Sequence, residues 1–200
     1  LVIGPPNELV YEATVPFLWS LTQINESLWV GSGNDGRVFR IAPDGTVTTA
    51  YDAAEQNIHA IAADGNNAAY IGTSPQGALL RVTANTAETI FDPPEQYIWA
   101  IAVAQDKTVF IGTGGTGRIY SLSPSGESSL FYDTGAAHVL SLTFDRQDNL
   151  LASTGAPGRI LRITREGKPF VLLESPLAEI RSLRAKPNGT LYAVAVNQSP

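Results

Sequence analysis

An all-β fold made of repeated sheets is predicted by three sequence landmarks that recur about every forty residues. The first landmark, Gly-x-apolar-x-Arg/Ser-apolar, begins at four glycines: Gly36, Gly77, Gly117 and Gly158. Successive copies are 41, 40 and 41 residues apart. An apolar-Gly-Ser/Thr segment, as at residues 71–73, and an apolar-x-Ser/Ala-apolar segment, as at residues 58–61, keep the same period. Three landmarks in one phase identify an internal repeat, which constrains the fold more strongly than any local feature.

Each repeat contains four short apolar segments separated by turn residues. In the second copy these segments are residues 58–62, 68–72, 78–82 and 88–91. All are of strand length, and none has helical spacing. Asp64-Gly65 and Asn188-Gly189, in equivalent breaks, accept the positive φ of tight hairpin turns. Four antiparallel strands per forty residues correspond to one propeller blade. The sequence therefore predicts a β-propeller of about five four-stranded blades in a single domain, residues 1–200.

The two ends of the chain are predicted to share one split blade. Residues 9–12 precede the first inner strand as residues 49–52 precede the second, so they are expected to form an outermost strand. Residues 180–196 supply only the two inner strands of the last repeat, and both termini fall in its third strand. A blade shared between the termini removes exposed edges. Because so little of the third strand remains and the chain lacks an initiator methionine, we expect a processed or longer chain, with a larger ring as the competing arrangement.

Composition and charge argue against several classes of protein. Thirteen Lys and Arg against nineteen Asp and Glu give a net charge of −6, and no basic stripe is interleaved with aromatic residues, so nucleic acid is not an expected partner. No apolar run approaches the roughly twenty residues that cross a bilayer. The sequence has no cysteine, which excludes disulfides, thiolate metal sites and cysteine nucleophiles. No cofactor and no metal site are predicted.

Candidate binding residues lie at the start of each innermost strand, around the mouth of the central channel. The repeat places a first ring at Phe17, Asn57, Tyr97, His138 and Glu179. Two residues further along lies a second ring: Trp19, His59, Trp99, Leu140 and Arg181. Both rings vary in residue type while their neighbours stay apolar. One interpretation is a shallow pocket in which indoles stack on a sugar or a cation and Arg and Glu fix polar groups. The other is aromatic packing between blades, with His138 as an exposed loop residue.

Glycine-rich loops join the second and third strands of each repeat, as at residues 113–117. They superficially resemble phosphate loops, but no helix is predicted after them and no Gly-Lys-Ser/Thr occurs. Arg37, Arg118 and Arg159 follow these loops. We expect them to be structural and to pair with carbonyl or acidic groups between blades.

Residues 112–120 and 149–163 resemble the repeats of bacterial propellers related to the NHL, streptogramin-lyase-like and tryptophan-aspartate-repeat groups. The resemblance covers nearly the whole chain and implies the propeller fold. It also implies a bacterial protein that is exported, to the periplasm or outside the cell. Because it is a resemblance of repeats, it implies no particular activity. Streptogramin-lyase-like enzymes carry a cluster of His and Glu on one face. This chain has only His59 and His138, with no His-x-Glu or Glu-x-His pair, so that activity is not carried over.

Three functions remain open, and a non-catalytic interaction module that binds another protein, for example as an accessory subunit, is favoured. The sequence contains no Gly-x-Ser-x-Gly elbow and no zinc motif, and no catalytic residue is assigned. The alternative is a lectin-like propeller that binds a carbohydrate or small ligand. An enzyme at the channel mouth (a hydrolase, lactonase or lyase) is ranked last, with His59 or Glu179 as its acid or base.

Overall fold

The computed structural model describes residues 9–52, 57–65, 67–84 and 86–197, which form eighteen β-strands and no helix. In chain order the strands are β1 (Phe17–Ile24), β2 (Ser27–Gly33), β3 (Arg37–Ile41), β4 (Val47–Asp52), β5 (Asn57–Ala63), β6 (Ala69–Ser74), β7 (Leu79–Val82), β8 (Ala87–Phe91), β9 (Tyr97–Val103), β10 (Val109–Gly114), β11 (Arg118–Leu122), β12 (Ser128–Asp133), β13 (His138–Phe144), β14 (Leu150–Gly155), β15 (Arg159–Ile163), β16 (Pro169–Glu174), β17 (Glu179–Ala185) and β18 (Leu191–Val196). Because no helix occurs among the described residues, none is available there to span a membrane.

Each repeat folds as one antiparallel blade, as predicted. Strands β1–β4, β5–β8, β9–β12 and β13–β16 pair in chain order to form blades 1 to 4. Strands β17 and β18 form a hairpin, which is the described part of blade 5. The inner strands β1, β5, β9, β13 and β17 lie side by side in this order. The all-β propeller architecture is therefore confirmed, and the number of blades stays a prediction.

Small residues in the second strand of each blade allow the next blade to approach closely. Ile58 and Ile98, the second residues of β5 and β9, are fully buried. A Cβ added to Gly31 would lie 2.7 Å from Cγ2 of Ile58, and one added to Gly72 would lie 2.4 Å from Cγ2 of Ile98. Two non-bonded carbon atoms closer than 3 Å would force one of the blades to move. The glycine of the apolar-Gly-Ser/Thr landmark therefore allows neighbouring blades to pack closely.

The glycine that precedes the third strand has a similar steric role. A Cβ at Gly77 would lie 2.0 Å from the carbonyl oxygen of Glu95, and the residue has a φ of +73°. Three predicted arginine ion pairs do form, but within one blade and not between blades. Each arginine faces an acidic residue directly across from it on the fourth strand: Arg37 faces Asp52, Arg118 faces Asp133, and Arg159 faces Glu174. These pairs explain why arginine recurs at the start of the third strand.

The described residues do not join the two ends of the arc. Leu18 is 47% exposed, whereas its equivalents in the other four inner strands are completely buried. Residues 9–12 are irregular, so the expected outermost strand is wrong there. Tyr11 still packs on Phe39, with ring centroids 5.6 Å apart at 55°, much as Phe91 packs on Tyr120 at 5.4 Å and 56° between blades 2 and 3. The segment thus contacts blade 1 as an outer strand would. The rest of the predicted split blade, residues 1–3, lies outside the described residues.

Candidate functional site

The second predicted ring lines one cavity in the channel. Trp19, His59, Trp99, Leu140 and Arg181 all border an open cavity of about 310 Å³ between the inner strands. The structure therefore brings together the five residues that the repeat placed at equivalent positions. Whether this cavity binds a ligand stays a prediction.

Every residue of the second ring is the extra residue of a β-bulge in its inner strand. The antiparallel register between the first two strands of a blade shifts across Trp19 in blade 1, and it shifts across His59 in blade 2. The same shift occurs across the other three ring residues: Trp99, Leu140 and Arg181. A bulge leaves one residue unpaired and turns its side chain away from the regular alternation of the strand. This local distortion explains how these side chains all come to face the channel.

The aromatic members of the two rings form a continuous ladder. Phe17 stacks on Trp19 with ring centroids 5.1 Å apart at 14°, and Tyr97 stacks on Trp99 at 5.2 Å and 4°. The imidazole of His59 lies between the two indoles, 5.5 Å from Trp19 and 4.4 Å from Trp99. We refer to Phe17, Trp19, His59, Tyr97 and Trp99 as the aromatic ladder.

Blade 2 supports the first half of the ladder with a hydrogen-bond acceptor. Oδ1 of Asn57 accepts a hydrogen bond from Nε1 of Trp19 at 3.2 Å and one from the backbone N–H of Asn34 at 3.3 Å. Gly33 leaves room for the indole, since an added Cβ would lie 2.0 Å from Nε1 of Trp19. The orientation of Trp19 is therefore fixed by contacts from both blades.

The second half of the ladder, two blades later, resembles the first, but Nε1 of Trp99 is buried and makes no hydrogen bond. Nδ1 of His138 accepts a hydrogen bond from the backbone N–H of Gly115 at 3.4 Å. Its ring meets Trp99 edge-on, with centroids 6.1 Å apart at 89°. A Cβ at Gly114 would again lie 2.0 Å from the indole Nε1. A signal for this duplication was present in the sequence, as Phe-Leu-Trp at residues 17–19 and Tyr-Ile-Trp at residues 97–99.

Burial affects His59, and an ion pair joins Glu179 to Arg181. Burial of His59 lowers its pKa to about 4, so the imidazole is neutral at pH 7. The carboxylate of Glu179 is buried and forms an ion pair with Arg181 on the same strand, with Oε2 2.7 Å from Nη2. Arg181 is exposed. The Arg and Glu expected to fix polar groups of a ligand therefore bind each other, and Arg181 borders the same cavity as Trp19, His59 and Trp99.

Sequence reasoning missed a buried acid, Glu95, beside the first ring. Its Oε1 accepts hydrogen bonds from Oγ1 of Thr116 at 2.9 Å, from Oη of Tyr120 at 3.0 Å and from Nη1 of Arg118 at 3.3 Å. Glu95 and Tyr97 border a second cavity, of about 390 Å³. These bonds anchor the segment that leads into β9. The sequence signal for this position is the Glu-Gln pair at residues 95–96, which also occurs one repeat earlier at residues 55–56.

No metal centre is evident among the residues that the structure describes. They contain no group of three or more His, Cys, Asp or Glu side chains that could hold a metal ion. The groups that the two rings offer are aromatic faces, the amide of Asn57, the imidazoles of His59 and His138, and the Glu179–Arg181 ion pair.

Four-stranded blades around a channel define the protein as a β-propeller. The chain superposes on a streptogramin B lyase with a TM-score of 0.79 at 14% identity, covering 92% of this chain and 64% of the lyase. For virginiamycin B lyase from Staphylococcus aureus the TM-score is 0.78 at 14% identity, with 90% and 63% covered. The chain thus spans less than two thirds of these lyases. The predicted resemblance is confirmed at the level of the fold.

Two further structures have the same fold in different settings. A chain of a nidogen/laminin complex matches with a TM-score of 0.76 at 14% identity, covering 89% of this chain and 72% of that one. The extracellular domain of a proposed one-component system from B. thetaiotaomicron matches with a TM-score of 0.74 at 17% identity, covering 90% and 26%. No family model and no curated protein matches the sequence. At these identities the likeness concerns the fold alone.

Proposed function

We propose that this propeller is a non-catalytic interaction module that binds a protein partner at the channel mouth. The observation that carries the proposal is the ordered aromatic ladder, whose members Trp19, His59 and Trp99 border the open cavity of the channel. Phe17 and Trp19 are 45% and 48% exposed, although stacking and a hydrogen bond hold them in place. Large, exposed aromatic side chains with fixed orientation are the typical anchors of protein interfaces.

The order of the ladder in the unbound protein favours tight association. Binding normally costs about 0.5–1.5 kcal/mol for each flexible side chain that becomes immobilised. The stacked pairs Phe17–Trp19 and Tyr97–Trp99 are already ordered, so this cost is small for them. The neutral His59 adds apolar ring surface between them without a charge to desolvate. An aromatic centre with the charged Arg181 at the border of the same cavity matches the usual anatomy of an interface.

Two of the structural neighbours support a role outside the cytoplasm and in recognition. One is described as a complex of nidogen with laminin, and another as an extracellular domain. These properties belong to those proteins. They support for this chain the proposal that it meets its partner in the periplasm or outside the cell.

A carbohydrate or another small ring-shaped ligand is the second candidate, and the duplicated half of the ladder favours it. Lectin-like propellers bind the same ligand at equivalent positions of different blades. Trp19 with Asn57 and Trp99 with His138 provide two such positions, each with an indole beside a hydrogen-bonding side chain. An enzyme ranks last, because the pKa of His59 is about 4 and Glu179 is bound to Arg181.

The test compares partner binding by the native protein with that of a Phe17→Ala/Trp19→Ala variant. A crosslinkable form of the protein identifies the partner by mass spectrometry in cells of its source, and the affinity of that purified partner is then measured. We expect a loss of at least tenfold, because truncation of an anchor typically costs about 2 kcal/mol or more. Phe170→Ala is the matched control, since Phe170 is 60% exposed on an outer strand. Unchanged affinity of the double variant would refute the proposal, and a glycan array probed with both proteins decides the second candidate.

A further inference from the structure

A cavity of about 250 Å³ lies between blades 3 and 4, away from the channel mouth. Residues of the first ring begin β9 and β13, whereas the cavity residues Ala104 and Phe144 lie at the other ends of these strands. All four strands of both blades are described, so the cavity does not depend on the ends of the chain. It is therefore a separate feature of two complete, neighbouring blades.

The corresponding place between blades 2 and 3 is occupied by an ion pair. In blade 2, Arg81 lies across from Tyr70 and binds the buried carboxylate of Asp64, with Nη2 2.6 Å from Oδ2. Blades 1 and 4 also have an arginine at this position of the third strand, namely Arg40 and Arg162. An arginine is thus the usual residue there, in three of the four complete blades.

Blade 3 lacks this arginine and both of its polar neighbours. The same register pairs Ser121 with Phe110, where blade 2 pairs arginine with tyrosine. Ala104 stands at the position of Asp64, because its N–H makes the equivalent turn hydrogen bond, at 2.9 Å compared with 3.0 Å in blade 2. The guanidinium, its carboxylate partner and the phenolic hydroxyl have no counterparts in blade 3. The propeller fold does not require the cavity, which results from these three replacements.

Aromatic rings form the walls of the cavity. Phe110 meets Phe131 nearly edge-on, with ring centroids 4.9 Å apart at 72°, and it meets Phe144 at 5.9 Å and 70°. The buried side chains of Leu150 and Ile163 also border the cavity. Aromatic rings favour edge-to-face contacts, so a further ring is well suited to these walls. An engineered protein cavity of about 150 Å³ with similar apolar walls binds benzene, so the volume is sufficient for one ring.

Charged side chains border the cavity where it opens to solvent. Nη1 of Arg165 lies 3.6 Å from Oδ2 of Asp106, and Nη2 binds Oδ2 of Asp148. The backbone N–H of Thr108 donates to Oδ1 of Asp106 at 3.0 Å and lowers the pKa of that carboxyl, so it is ionised at pH 7. Two carboxylates share one guanidinium, which leaves an excess of negative charge. The opening therefore attracts a cation and repels an anion.

We propose that this cavity binds a small amine, with an aromatic ring among the three phenylalanines and a primary ammonium group on the carboxylate of Asp106. The side chain of Asp106 is 52% exposed, whereas that of Asp148 is 17% exposed, so Asp106 is the carboxylate that a ligand reaches. An ammonium group has three donors and no acceptor, which suits a carboxylate. The proposal does not depend on the function proposed above, because the two sites share no residue.

The test titrates three ligands of similar shape into the full chain: 2-phenylethylamine, 2-phenylethanol and 3-phenylpropionate. NMR follows the methyl signals of Ala104, Leu150 and Ile163, which border the cavity. We expect a dissociation constant of about 0.1–1 mM for the amine, about tenfold weaker binding of the alcohol, and no saturation with the carboxylate. The methyl signals of Ile61, which borders the channel cavity, should not move.

Two variants separate the charge from the volume. Asp106→Asn should weaken binding of the amine about tenfold and leave that of the alcohol unchanged. Its matched control is Asp44→Asn, because Asp44 accepts the same kind of turn hydrogen bond, from the N–H of Thr46 at 2.9 Å, in blade 1. The double variant Ala104→Asp/Ser121→Arg copies the blade 2 ion pair into the cavity and should abolish the methyl shifts with both ligands.

Three results would overturn the proposal. They are equal affinity for the amine and the alcohol, unchanged affinity of Asp106→Asn for the amine, and no shift of the cavity methyl signals at several millimolar amine. Asp106→Asn keeps the shape of the side chain. It therefore decides the question even if the double variant does not fold.

Discussion

Replacing Gly72 by alanine tests whether the spacing between blades is set by the small residue in each second strand. The added methyl group would lie 2.4 Å from Cγ2 and 2.8 Å from Cβ of Ile98, which is fully buried in blade 3. Normal contact needs about 3.5–4.0 Å, so blade 3 or the isoleucine must move by more than 1 Å. Overpacking of this kind costs about 1–3 kcal/mol. Alanine gains up to about 1 kcal/mol from the lower entropy of the unfolded chain, and we expect a net loss of about 1–2 kcal/mol.

Urea denaturation followed by tryptophan fluorescence measures this loss. The matched variant is Gly72→Ala/Ile98→Leu, since leucine keeps the volume of isoleucine and removes the Cγ2 methyl that meets the alanine. The double variant should be more stable than the sum of the two single effects by at least about 0.5 kcal/mol, which is the coupling expected for residues in contact. Equal or higher stability of Gly72→Ala, or strict additivity in the cycle, would refute the steric argument.

Three further predictions concern ionisable and hydrogen-bonding groups. An NMR titration of His59 should give a midpoint near pH 4. Because this pKa is below that of the unfolded chain, near 6.5, the free energy of unfolding should fall as the pH drops from 6.5 toward 4. A His59→Gln variant should lose this pH dependence. Arg81→Met should lower the free energy of unfolding by about 1.5–3 kcal/mol, because it removes a charged donor from the buried carboxylate of Asp64. The control Arg165→Met, which breaks an ion pair of an exposed arginine, should lower it by less than about 1 kcal/mol. Trp19→Phe keeps the stacking on Phe17 but removes the hydrogen bond to Asn57, so thermal unfolding should show a loss of stability of about 1 kcal/mol. A loss of stability as large as that of Trp19→Ala would show that the hydrogen bond is not a minor part of the contact.

The blades could be predicted from the sequence because packing between them requires particular residues at the same position of each repeat. The glycine landmarks mark close approaches, at Gly72 to the next inner strand and at Gly77 to a carbonyl oxygen. Gly65 and Gly189, in the predicted tight turns, have φ values of +86° and +88°. The residues that impose these requirements are neighbours in the chain or lie about one repeat away, so the same residue types recur at regular intervals in the sequence.

The remaining features depend on contacts that leave no such trace. The strand expected at residues 9–12 is absent, although Tyr11 packs on Phe39 as an outer-strand residue would. The bulge at Trp19 changes the hydrogen-bond register of the strand without requiring a particular residue type. The sequence therefore predicted which residues form the two rings, but it did not predict the geometry of their side chains. The burial of Glu95 depends on donors 21 to 25 residues away in the chain.

The bulges at the channel mouth have a consequence for how such a protein can change. A residue in a regular strand is constrained by its cross-strand partner and by the alternation of faces. The extra residue of a bulge has no cross-strand partner, and the register on either side of it is already settled. Tryptophan, histidine, leucine and arginine all occupy this one position in the five inner strands. The blades therefore offer a set of positions at which the side chains facing the channel can be changed one at a time while the sheets keep their pairing.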